Sequence, residues 1–318
     1  MSLLLAINGA GDNWAVPPWR ARFAARLPGR AIVEPEAALA APQSVRYAAV
    51  WKPAPGLLAR FPRLEAIFNL GAGVDALLED ATLPDVPICR VVNADLTKRM
   101  TEYVVLHTLL YHRQHARFVS QQARKVWDAP DQWAASAVRV GLLGLGELGR
   151  DSAEVLGRIG FRVAGWSRSP KEIPGVDCFH GPDGLGPFLA RTDILVALIP
   201  LTRETRGILN YKLFQGLARD GVLGRPVLIN AGRGGLQVEA DILRALDDGT
   251  LGAATLDVFE TEPLPASSPL WSHPRVTITP HNAADSSPSA IADDVAAQIL
   301  AHEAGKPLRN VVDRTKGY

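Results

Sequence analysis

Three reactive side chains follow three separate apolar runs in the second half of the sequence. Arg233 stands in "INAGRGG", Glu262 in "LDVFETEPLP" and His281 in "TITPHNAA". A histidine, with an ordinary pKa of about 6.5, can transfer a proton near neutral pH, and a neighbouring carboxylate orients its ring and favours the protonated form. An arginine can bind a carboxylate and polarise the carbonyl beside it. Together these residues predict reduction of a 2-oxo acid by hydride transfer, with His281 as proton donor.

Each of the three also has an ordinary interpretation. Arg233 could cap a helix, Glu262 could flank the proline-rich loop, and His281 could be a satisfied loop histidine. The chemical interpretation depends on their joint occurrence at predicted strand ends, because ligands of open α/β sheets bind beyond the carboxyl ends of the strands. We expect the small residues around Arg233 to let cofactor and substrate approach that strand end.

A glycine-rich loop identifies the hydride donor. "VRVGLLGLGELGR" places Gly144, Gly146 and Gly149 directly after an apolar strand and at the opening of a helix. The first glycine allows a tight turn, the second allows the backbone to approach a pyrophosphate, and the third allows close helix packing. The helix N-terminus is then an anion site. The loop predicts a nicotinamide dinucleotide, contacted also by Glu147 and Leu148.

The end of the next predicted strand, "RVAGWSRSPK", bears on which nicotinamide cofactor is used. In the NAD form of this fold, an acid about 20 residues beyond the glycine loop binds the ribose 2′-hydroxyl. Counting from Gly146 reaches Trp166, and no acid follows until Glu172. Two hydroxyls and two cations, which match a 2′-phosphate, stand there instead: Ser167, Arg168, Ser169 and Lys171. We therefore predict NADP(H) as the preferred cofactor, with NAD(H) possible; a basic surface loop that tolerates either cofactor is the alternative.

A second glycine turn lies in the first third of the chain. The segment "FNLGAGVD", 68–75, reads as a strand leading into Gly71, Ala72 and Gly73. The exposed amides of such a turn can hold a carboxylate, so these residues are candidates for substrate binding. A plain strand-to-helix turn is the alternative.

Strand-like and helix-like segments alternate along the chain, which is typical of parallel sheets covered by helices. This predicts an α/β fold of two Rossmann-like, doubly wound parallel-sheet domains. We assign 1–97 plus 286–318 to a substrate domain and 98–285 to a dinucleotide-binding domain. Strands are predicted at 3–8, 46–51, 66–70, 88–92, 138–143, 162–166, 193–198, 226–231, 252–257 and 275–279. Helices are predicted at 18–27, 97–118, 147–159, 210–218, 238–248 and 287–304, with an extended arm at 120–137.

The composition excludes several other classes of protein. Thirty-four basic and 33 acidic residues give a net charge of +1, which argues against a nucleic-acid partner. No apolar stretch reaches the length of a membrane span, so no membrane partner is expected. The two cysteines, Cys89 and Cys178, form neither a disulfide framework nor a metal pair. A cytoplasmic protein is therefore expected.

These motifs carry a resemblance to a known family. The chain resembles the D-isomer-specific 2-hydroxyacid dehydrogenases, and within them the reductases of glyoxylate and hydroxypyruvate. The likeness rests on "VWKPAPGLLARFP", "NLGAGVD", "GLGELG", "WSRSPK", "ALDVFETEPLP", "SPLWSHPRVTITPH" and "VDRTKGY". It implies an NADPH-dependent enzyme with an active-site cleft between two Rossmann-like domains, acting on a small 2-oxo acid. It also implies a homodimer formed through the cofactor domain, with 120–137 as an embracing segment.

The resemblance also assigns roles to individual residues. Arg233 would bind substrate, His281 would be the acid/base, and Glu262 would be its partner. Gly71, Ala72 and Gly73 would hold the substrate carboxylate, and Trp51 would form a wall of the pocket. Asp257 would face the nicotinamide carboxamide, and Pro200, Thr205 and Ala231 would lie along the cofactor. Asn282 and the polar segment "NAADSSPSAIADD" depart from the family pattern, which leaves the choice of 2-oxo acid open.

Three other functions compete with this interpretation. A formate dehydrogenase shares the fold but pairs its histidine with glutamine, whereas this chain has Glu262. A nucleotide-sensing corepressor would keep the same three residues without turnover, but the chain offers no long tails for docking partners. A metal enzyme would use His107, His112 and His115, whose spacings of five and three do not form the i, i+4 pair of a helical metal site. No metal is therefore expected.

Overall fold

The computed structural model describes residues 1–9 and 14–317, and the chain divides into two units. The first comprises Met1–Leu96 and Ser286–Tyr318, and the second comprises Thr97–Asp285. Tyr318, which ends the predicted substrate domain and the "VDRTKGY" motif, lies outside the described residues.

The first unit is built on a parallel sheet of five strands. They are β1 (Ser2–Ile7), β2 (Ala31–Val33), β3 (Val45–Trp51), β4 (Ala66–Asn69) and β5 (Ile88–Cys89), in the order β2-β1-β3-β4-β5. In β1, Leu3, Leu4 and Leu5 are all fully buried. A continuous apolar strand of this kind is expected where helices cover both faces of a parallel sheet.

The second unit is built on a parallel sheet of seven strands. They are β6 (Arg139–Leu143), β7 (Arg162–Ser167), β8 (Asp177–His180), β9 (Ile194–Ala197), β10 (Val227–Asn230), β11 (Ala253–Leu256) and β12 (Val276–Ile278). Their order is β12-β11-β10-β9-β6-β7-β8. The chain therefore first adds β7 and β8 on one side of β6, and then adds β9, β10, β11 and β12 on the other side. The switch point lies between β6 and β9, which is where nucleotides bind in such sheets.

Helices connect the strands in both units. They are α1 (Val16–Arg26), α2 (Pro35–Ala40), α3 (Asp75–Leu78), α4 (Ala94–His112), α5 (His115–Ala123), α6 (Glu147–Ile159), α7 (Gly181–Ala190), α8 (Tyr211–Gln215), α9 (Glu239–Asp247) and α10 (Pro288–Glu303). In the first unit, α10 forms ion pairs with Arg26, through Asp293 at 2.5 Å, and with Arg30, through Glu303 at 2.7 Å. Within the described residues, no helix combines the length and apolar character needed to cross a membrane.

Successive side chains along the strands of the second unit point to alternate faces of its sheet, so an apolar core lies on each face. Leu195 and Ala197 of β9 belong to one apolar cluster, which contains Phe188 and Phe214. Ile194 and Val196 of the same strand belong to another cluster, on the opposite face, because successive side chains of a strand point to opposite sides. The predicted α/β class with two parallel-sheet domains is confirmed.

Several predicted elements were wrong or missing. The helix predicted at 97–118 is two helices, α4 and α5, because Gln114 adopts a left-handed backbone with φ of 54°. The arm predicted at 120–137 therefore begins inside α5 and ends in a short 3-10 turn at Ala135–Ala137. The sequence analysis missed strands β2 and β8 and helices α2, α3 and α7. The short strands offer too few residues to show a period, and α7 contains three glycines and Pro187, a composition typical of loops.

Candidate active site

The histidine and the glutamate of the sequence analysis form a direct pair. His281 Nδ1 lies 2.7 Å from Glu262 Oε2, and the two side chains are 44% and 30% exposed. Glu262 Oε1 accepts a 3.1 Å hydrogen bond from the amide of Phe259, which fixes the orientation of the carboxylate. Because a carboxylate accepts hydrogen bonds, Nδ1–H is the donor in this pair. The Nε2 nitrogen of His281 is then the one available to a substrate.

The backbone at His281 is held in an uncommon conformation by Asp257. His281 has φ of 52°, a left-handed value that few non-glycine residues adopt. Its amide donates to the Asp257 carbonyl at 2.8 Å. Asp257 Oδ1 accepts from the amides of Asn282 at 3.0 Å and Ala283 at 3.2 Å, and Oδ2 accepts from Ala283 at 3.1 Å. Asp257, at 1% exposure, therefore fixes the turn that carries His281.

Arg233 follows β10, beside the strand that precedes Glu262. Its carbonyl accepts hydrogen bonds from the Asn230 side chain and the Leu236 amide, both at 3.2 Å. Asn230 also donates to Gln237 Oε1 at 2.8 Å, and Gln237 donates to the Val258 carbonyl at 2.9 Å. Both amide side chains are buried. They tie the Arg233 turn to the segment after β11, a role that the sequence analysis missed.

The glycines around Arg233 serve close packing within the chain. A Cβ at Gly234 would lie 1.7 Å from the carbonyl oxygen of Phe259, in the loop that carries Glu262. A Cβ at Gly235 would meet the Leu201 side chain at 2.8 Å. Small residues around Arg233 were expected to leave room for ligands; at these two positions they leave room for neighbouring loops of the protein.

Arg233, Glu262 and His281 follow β10, β11 and β12, respectively, which are neighbours in the sheet. Since all three strands are parallel, their carboxyl ends meet at one edge. This edge therefore bears a cation, a carboxylate and a histidine, each in the segment after one of three adjacent strands. Such a set can bind an anionic carbonyl compound and deliver a proton to its oxygen.

The glycine loop has the geometry that its spacing predicts. Gly144 has φ of +117°, and a Cβ at Gly149 would lie 1.9 Å from the Gly144 carbonyl oxygen. A Cβ at Gly146 would meet no described atom within 4 Å. Glu147 and Leu148 begin α6 directly after this glycine. The loop leaves open space at the N-terminus of a helix, where amides attract phosphate oxygens.

The predicted 2′-phosphate residues lie at the end of β7, whose last residue is Ser167, and directly after it. Gly144 N donates to the Trp166 carbonyl at 2.9 Å, which joins the glycine loop to the end of β7. Ser167 Oγ donates to the Ser169 carbonyl at 2.7 Å. Arg168, Ser169 and Lys171 are exposed, and the charge of Arg168 contributes to a lowered pKa of Glu204, whose main cause is a hydrogen bond from Thr202.

The remaining predicted cofactor residues lie beyond β9 and β10. Pro200 is exposed in the loop after β9, and its carbonyl accepts from Thr205 Oγ1 at 2.8 Å. The amide of Thr202 donates to the same Thr205 oxygen at 2.8 Å, so Thr205 holds this loop closed on itself. Ala231 is buried directly after β10. All three follow strands that end at the sheet edge bearing Arg233.

In the first unit, Asn69 organises the second glycine turn. Its side-chain amide donates to the carbonyls of Gly71 at 2.8 Å and Gly73 at 2.9 Å. The ring of Trp51 lies against this turn, since a Cβ at Gly71 would meet it at 2.2 Å. Trp14 stacks on Trp51 with ring centroids 4.5 Å apart. Asn69 stands in the quoted segment "FNLGAGVD" but was given no role from sequence, and Trp14 was missed because it stands in no recognisable motif.

The three histidines of the metal alternative have separate surroundings. His107 packs on Tyr103 with ring centroids 4.2 Å apart, and His112 packs edge-on against Phe161 at 5.1 Å. Burial lowers the pKa of both. His115 is exposed at the start of α5. Within residues 1–9 and 14–317, no three His, Cys, Asp or Glu side chains are grouped to hold a metal ion.

Comparison with known families places the chain in one of them. Residues 105–283 match the model for the D-isomer specific 2-hydroxyacid dehydrogenase, NAD binding domain. The chain therefore belongs to the D-isomer-specific 2-hydroxyacid dehydrogenase family of NAD(P)-dependent oxidoreductases. The resemblance stated from the sequence is confirmed.

Individual relatives cover nearly the whole chain. The glyoxylate/hydroxypyruvate reductase A of Serratia proteamaculans is 45% identical over 86% of this chain and 87% of its own. The NADPH-dependent glyoxylate/hydroxypyruvate reductase of Sinorhizobium meliloti, solved with NADP and sulfate, is 45% identical with a TM-score of 0.92 over 100% of both chains. A D-isomer specific 2-hydroxyacid dehydrogenase of Xanthobacter autotrophicus, solved with NADPH and MES, is 40% identical with a TM-score of 0.91 over 100% of this chain and 99% of its own.

Proposed function

We propose that this protein reduces glyoxylate or hydroxypyruvate to the corresponding 2-hydroxy acid with NADPH. The observation that carries the proposal is the 2.7 Å contact of His281 Nδ1 with Glu262 Oε2, at a sheet edge shared with Arg233. The names of the Serratia and Sinorhizobium relatives support the choice of substrate. Another 2-oxo acid within the family is the alternative.

Each residue of the edge has one task in this reaction. Arg233 binds the substrate carboxylate and polarises the carbonyl. Protonated His281 donates from Nε2 to the carbonyl oxygen while Glu262 holds Nδ1–H. When bound, the reduced nicotinamide supplies a hydride to the carbonyl carbon. In the first unit, Gly71, Ala72 and Gly73 offer amides to the carboxylate and Trp51 supplies an apolar wall.

A dinucleotide fits the residues of the second unit. The open space at Gly146, in front of α6, suits a pyrophosphate. Oδ2 of Asp257 accepts from the Ala283 amide and retains a lone pair for a further donor, such as a nicotinamide carboxamide. We accordingly propose the second unit as the dinucleotide-binding domain and the first unit as the substrate domain.

A panel of 2-oxo acids tests the reaction. With NADPH, purified protein should turn over glyoxylate or hydroxypyruvate, and His281→Ala should lower kcat by about 10²–10⁴-fold, the usual contribution of a positioned acid. Arg233→Ala should chiefly raise KM. His180→Ala, which removes an exposed histidine at the end of β8, is the control and should keep full activity. No turnover of any 2-oxo acid by folded protein would refute the proposal.

The choice of cofactor has its own test. Arg168 can form a bidentate contact with a 2′-phosphate, so Arg168→Ala should lower the NADPH-over-NADH ratio of kcat/KM by about tenfold or more. Arg162→Ala is the matched control, since Arg162 is an exposed arginine at the opposite end of the same strand. A parent enzyme that prefers NADH, or an unchanged ratio in Arg168→Ala, would contradict the assignment.

An exposed apolar surface supports a homodimer formed through the second unit. We call it the α4–α5 surface: it comprises Leu106, Leu109, Leu110, Arg113, His115, Phe118 and Val119. Trp127, in the irregular segment that follows α5, is fully exposed. Large exposed apolar side chains are typical of protein contacts. We propose that a second copy of the chain covers this surface.

We also propose a cytoplasmic location. Cys89 is buried and Cys178 is half-buried, and neither forms a disulfide within the described chain. Unpaired thiols are expected in a reducing compartment. Cell fractionation with an antibody against the protein tests this location.

A further inference from the structure

A chain of hydrogen bonds leads from helix α4 to the turn that carries His281. The Tyr103 hydroxyl lies 2.8 Å from Thr279 Oγ1, and Thr279 Oγ1 donates to Asp257 Oδ1 at 2.6 Å. Tyr103 and Asp257 are buried at 8% and 1% exposure. Thr279 between them is half-buried. We call Tyr103, Thr279 and Asp257 the relay.

The hydrogen bonds of this relay all point the same way, from Tyr103 towards Asp257. A hydroxyl has a single proton to donate, and Thr279 uses its proton on the Asp257 carboxylate. The Tyr103 hydroxyl must therefore donate to Thr279. Burial raises the pKa of Tyr103 above its ordinary value, so its proton stays in place at neutral pH. Each donor strengthens the one after it, because hydrogen bonds in a buried chain polarise one another.

The relay ends on the group that shapes the His281 turn. Asp257 Oδ1 accepts the Thr279 proton together with the amides of Asn282 and Ala283. Its backbone carbonyl accepts the amide of His281. A left-handed non-glycine residue persists where its surroundings determine it strongly. The orientation of the Asp257 carboxylate therefore helps to determine the position of the His281 ring.

We propose that Tyr103 and Thr279 are positioning residues for proton transfer, which act through Asp257 to hold the His281 turn in its reactive geometry. This inference rests on the proposed function, in which His281 is the proton donor. Tyr103 and Thr279 touch neither substrate nor cofactor in this scheme. Their effect reaches the reaction through the backbone of residues 281–283.

The same helix supplies a matched control. Tyr111, two turns further along α4, has its hydroxyl 2.7 Å from Thr255 Oγ1 of β11. This is also a contact between a tyrosine hydroxyl and a threonine hydroxyl. Thr255 lies within β11, two residues before Asp257, and is not part of the turn at 281–283. The Tyr111 hydroxyl also interacts with Thr277 of β12, so loss of either tyrosine hydroxyl removes hydrogen bonding between α4 and the sheet. Of these two tyrosines, Tyr103 is the one whose hydrogen bonds lead through Thr279 to the Asp257 carboxylate.

The experiment compares Tyr103→Phe and Thr279→Val with Tyr111→Phe and Thr279→Ser. We expect Tyr103→Phe and Thr279→Val to lower kcat for the 2-oxo acid about 3- to 10-fold, the effect of one net hydrogen bond, with KM for the acid nearly unchanged. Tyr111→Phe should keep the parent kcat although it loses as much stability to urea as Tyr103→Phe. Thr279→Ser keeps the hydroxyl and should restore most of the rate.

Hydrogen exchange gives a second measurement that needs no turnover. The amides of Asn282 and Ala283 should exchange faster in Tyr103→Phe and Thr279→Val than in the parent, and at the parent rate in Tyr111→Phe. Equal kcat in the two Tyr→Phe variants, or unchanged exchange in Tyr103→Phe, would overturn the inference. If the parent reduces no 2-oxo acid, the proposed function fails, whereas faster exchange still supports the mechanical link and unchanged exchange refutes it.

Discussion

Glu262 uses its two carboxylate oxygens on two different partners. Oε2 accepts a hydrogen bond from the His281 ring, and Oε1 accepts one from the Phe259 amide. The second bond fixes the carboxylate, so the first can fix the tautomer of the ring, with a proton on Nδ1 and with Nε2 left available to a ligand. A single side chain thereby sets both the orientation and the charge environment of the His281 ring.

Glu262→Gln should slow the reaction. The amide can occupy the same place but lacks the carboxylate charge, so it holds the His281 ring less firmly in its orientation. At neutral pH kcat should fall at least about tenfold, since loss of an orienting carboxylate can cost up to about 10⁴. The measurement is kcat for the 2-oxo acid at neutral pH.

Glu260→Gln is the control for this change. Glu260 lies in the same loop and is exposed, and its carboxylate accepts from the Glu239 amide, at 2.9 Å. It should keep the parent kcat. A parent-like kcat in Glu262→Gln would show that Glu262 does not orient the His281 ring for the reaction.

At the scale of elements, sequence predicts best where a pattern is long. The strand at 138–143, the glycine loop and the helix at 147–159 were predicted together because an apolar run, three spaced glycines and a helix follow one another; the structure places them at Arg139–Leu143 and Glu147–Ile159. β8 was missed because it is a four-residue edge strand, too short for alternation to be recognised.

The residues of the candidate site also divide into those that the sequence predicts and those that it does not. Arg233, Glu262 and His281 were predictable because they follow apolar strands and carry charges or a proton. Asn69, Asn230 and Gln237 were not, because their importance lies in buried hydrogen bonds to turns that no sequence period encodes. The left-handed His281 depends on contacts with Asp257, which lies 24 residues earlier in the chain.

Two glycines of α6 should respond oppositely to the same substitution. A Cβ at Gly149 would lie 1.9 Å from the Gly144 carbonyl oxygen, whereas at Gly157 it would meet no described atom within 4 Å. Gly149→Ala should therefore cost about 1–3 kcal/mol of unfolding free energy and weaken NADPH binding, because the glycine loop must shift. Gly157→Ala should add about 0.5–1 kcal/mol, since alanine is the better helix former.

Urea unfolding and NADPH titration measure both effects. Gly157→Ala is the control for any general influence of an added methyl group on α6, and it should bind NADPH like the parent. If the two substitutions changed stability alike, close packing of Gly149 on the glycine loop would not be what requires a glycine there.

At the scale of the whole molecule, apolar exposure is concentrated in the second unit. Leu106 of α4 is 54% exposed and Val119 of α5 is 52% exposed on the α4–α5 surface, and Phe118 beside them is 38% exposed. Leaving such side chains in water costs about 25 cal/mol for each Å² of apolar area that a partner could cover. A second copy of the chain, presenting the same surface, would remove them from water, as self-complementary dimers do.

Charges on this surface should therefore separate the dimer. The parent should run in size-exclusion chromatography with light scattering at a mass near twice the 34.2 kDa of one chain. Leu106→Asp combined with Val119→Asp should run as a monomer with an unchanged circular dichroism spectrum, because buried unpaired carboxylates are costly. Leu300→Asp, at a leucine 51% exposed on α10 of the first unit, should stay dimeric. A monomeric parent, or a double variant that remained dimeric, would show that the second copy does not bind here.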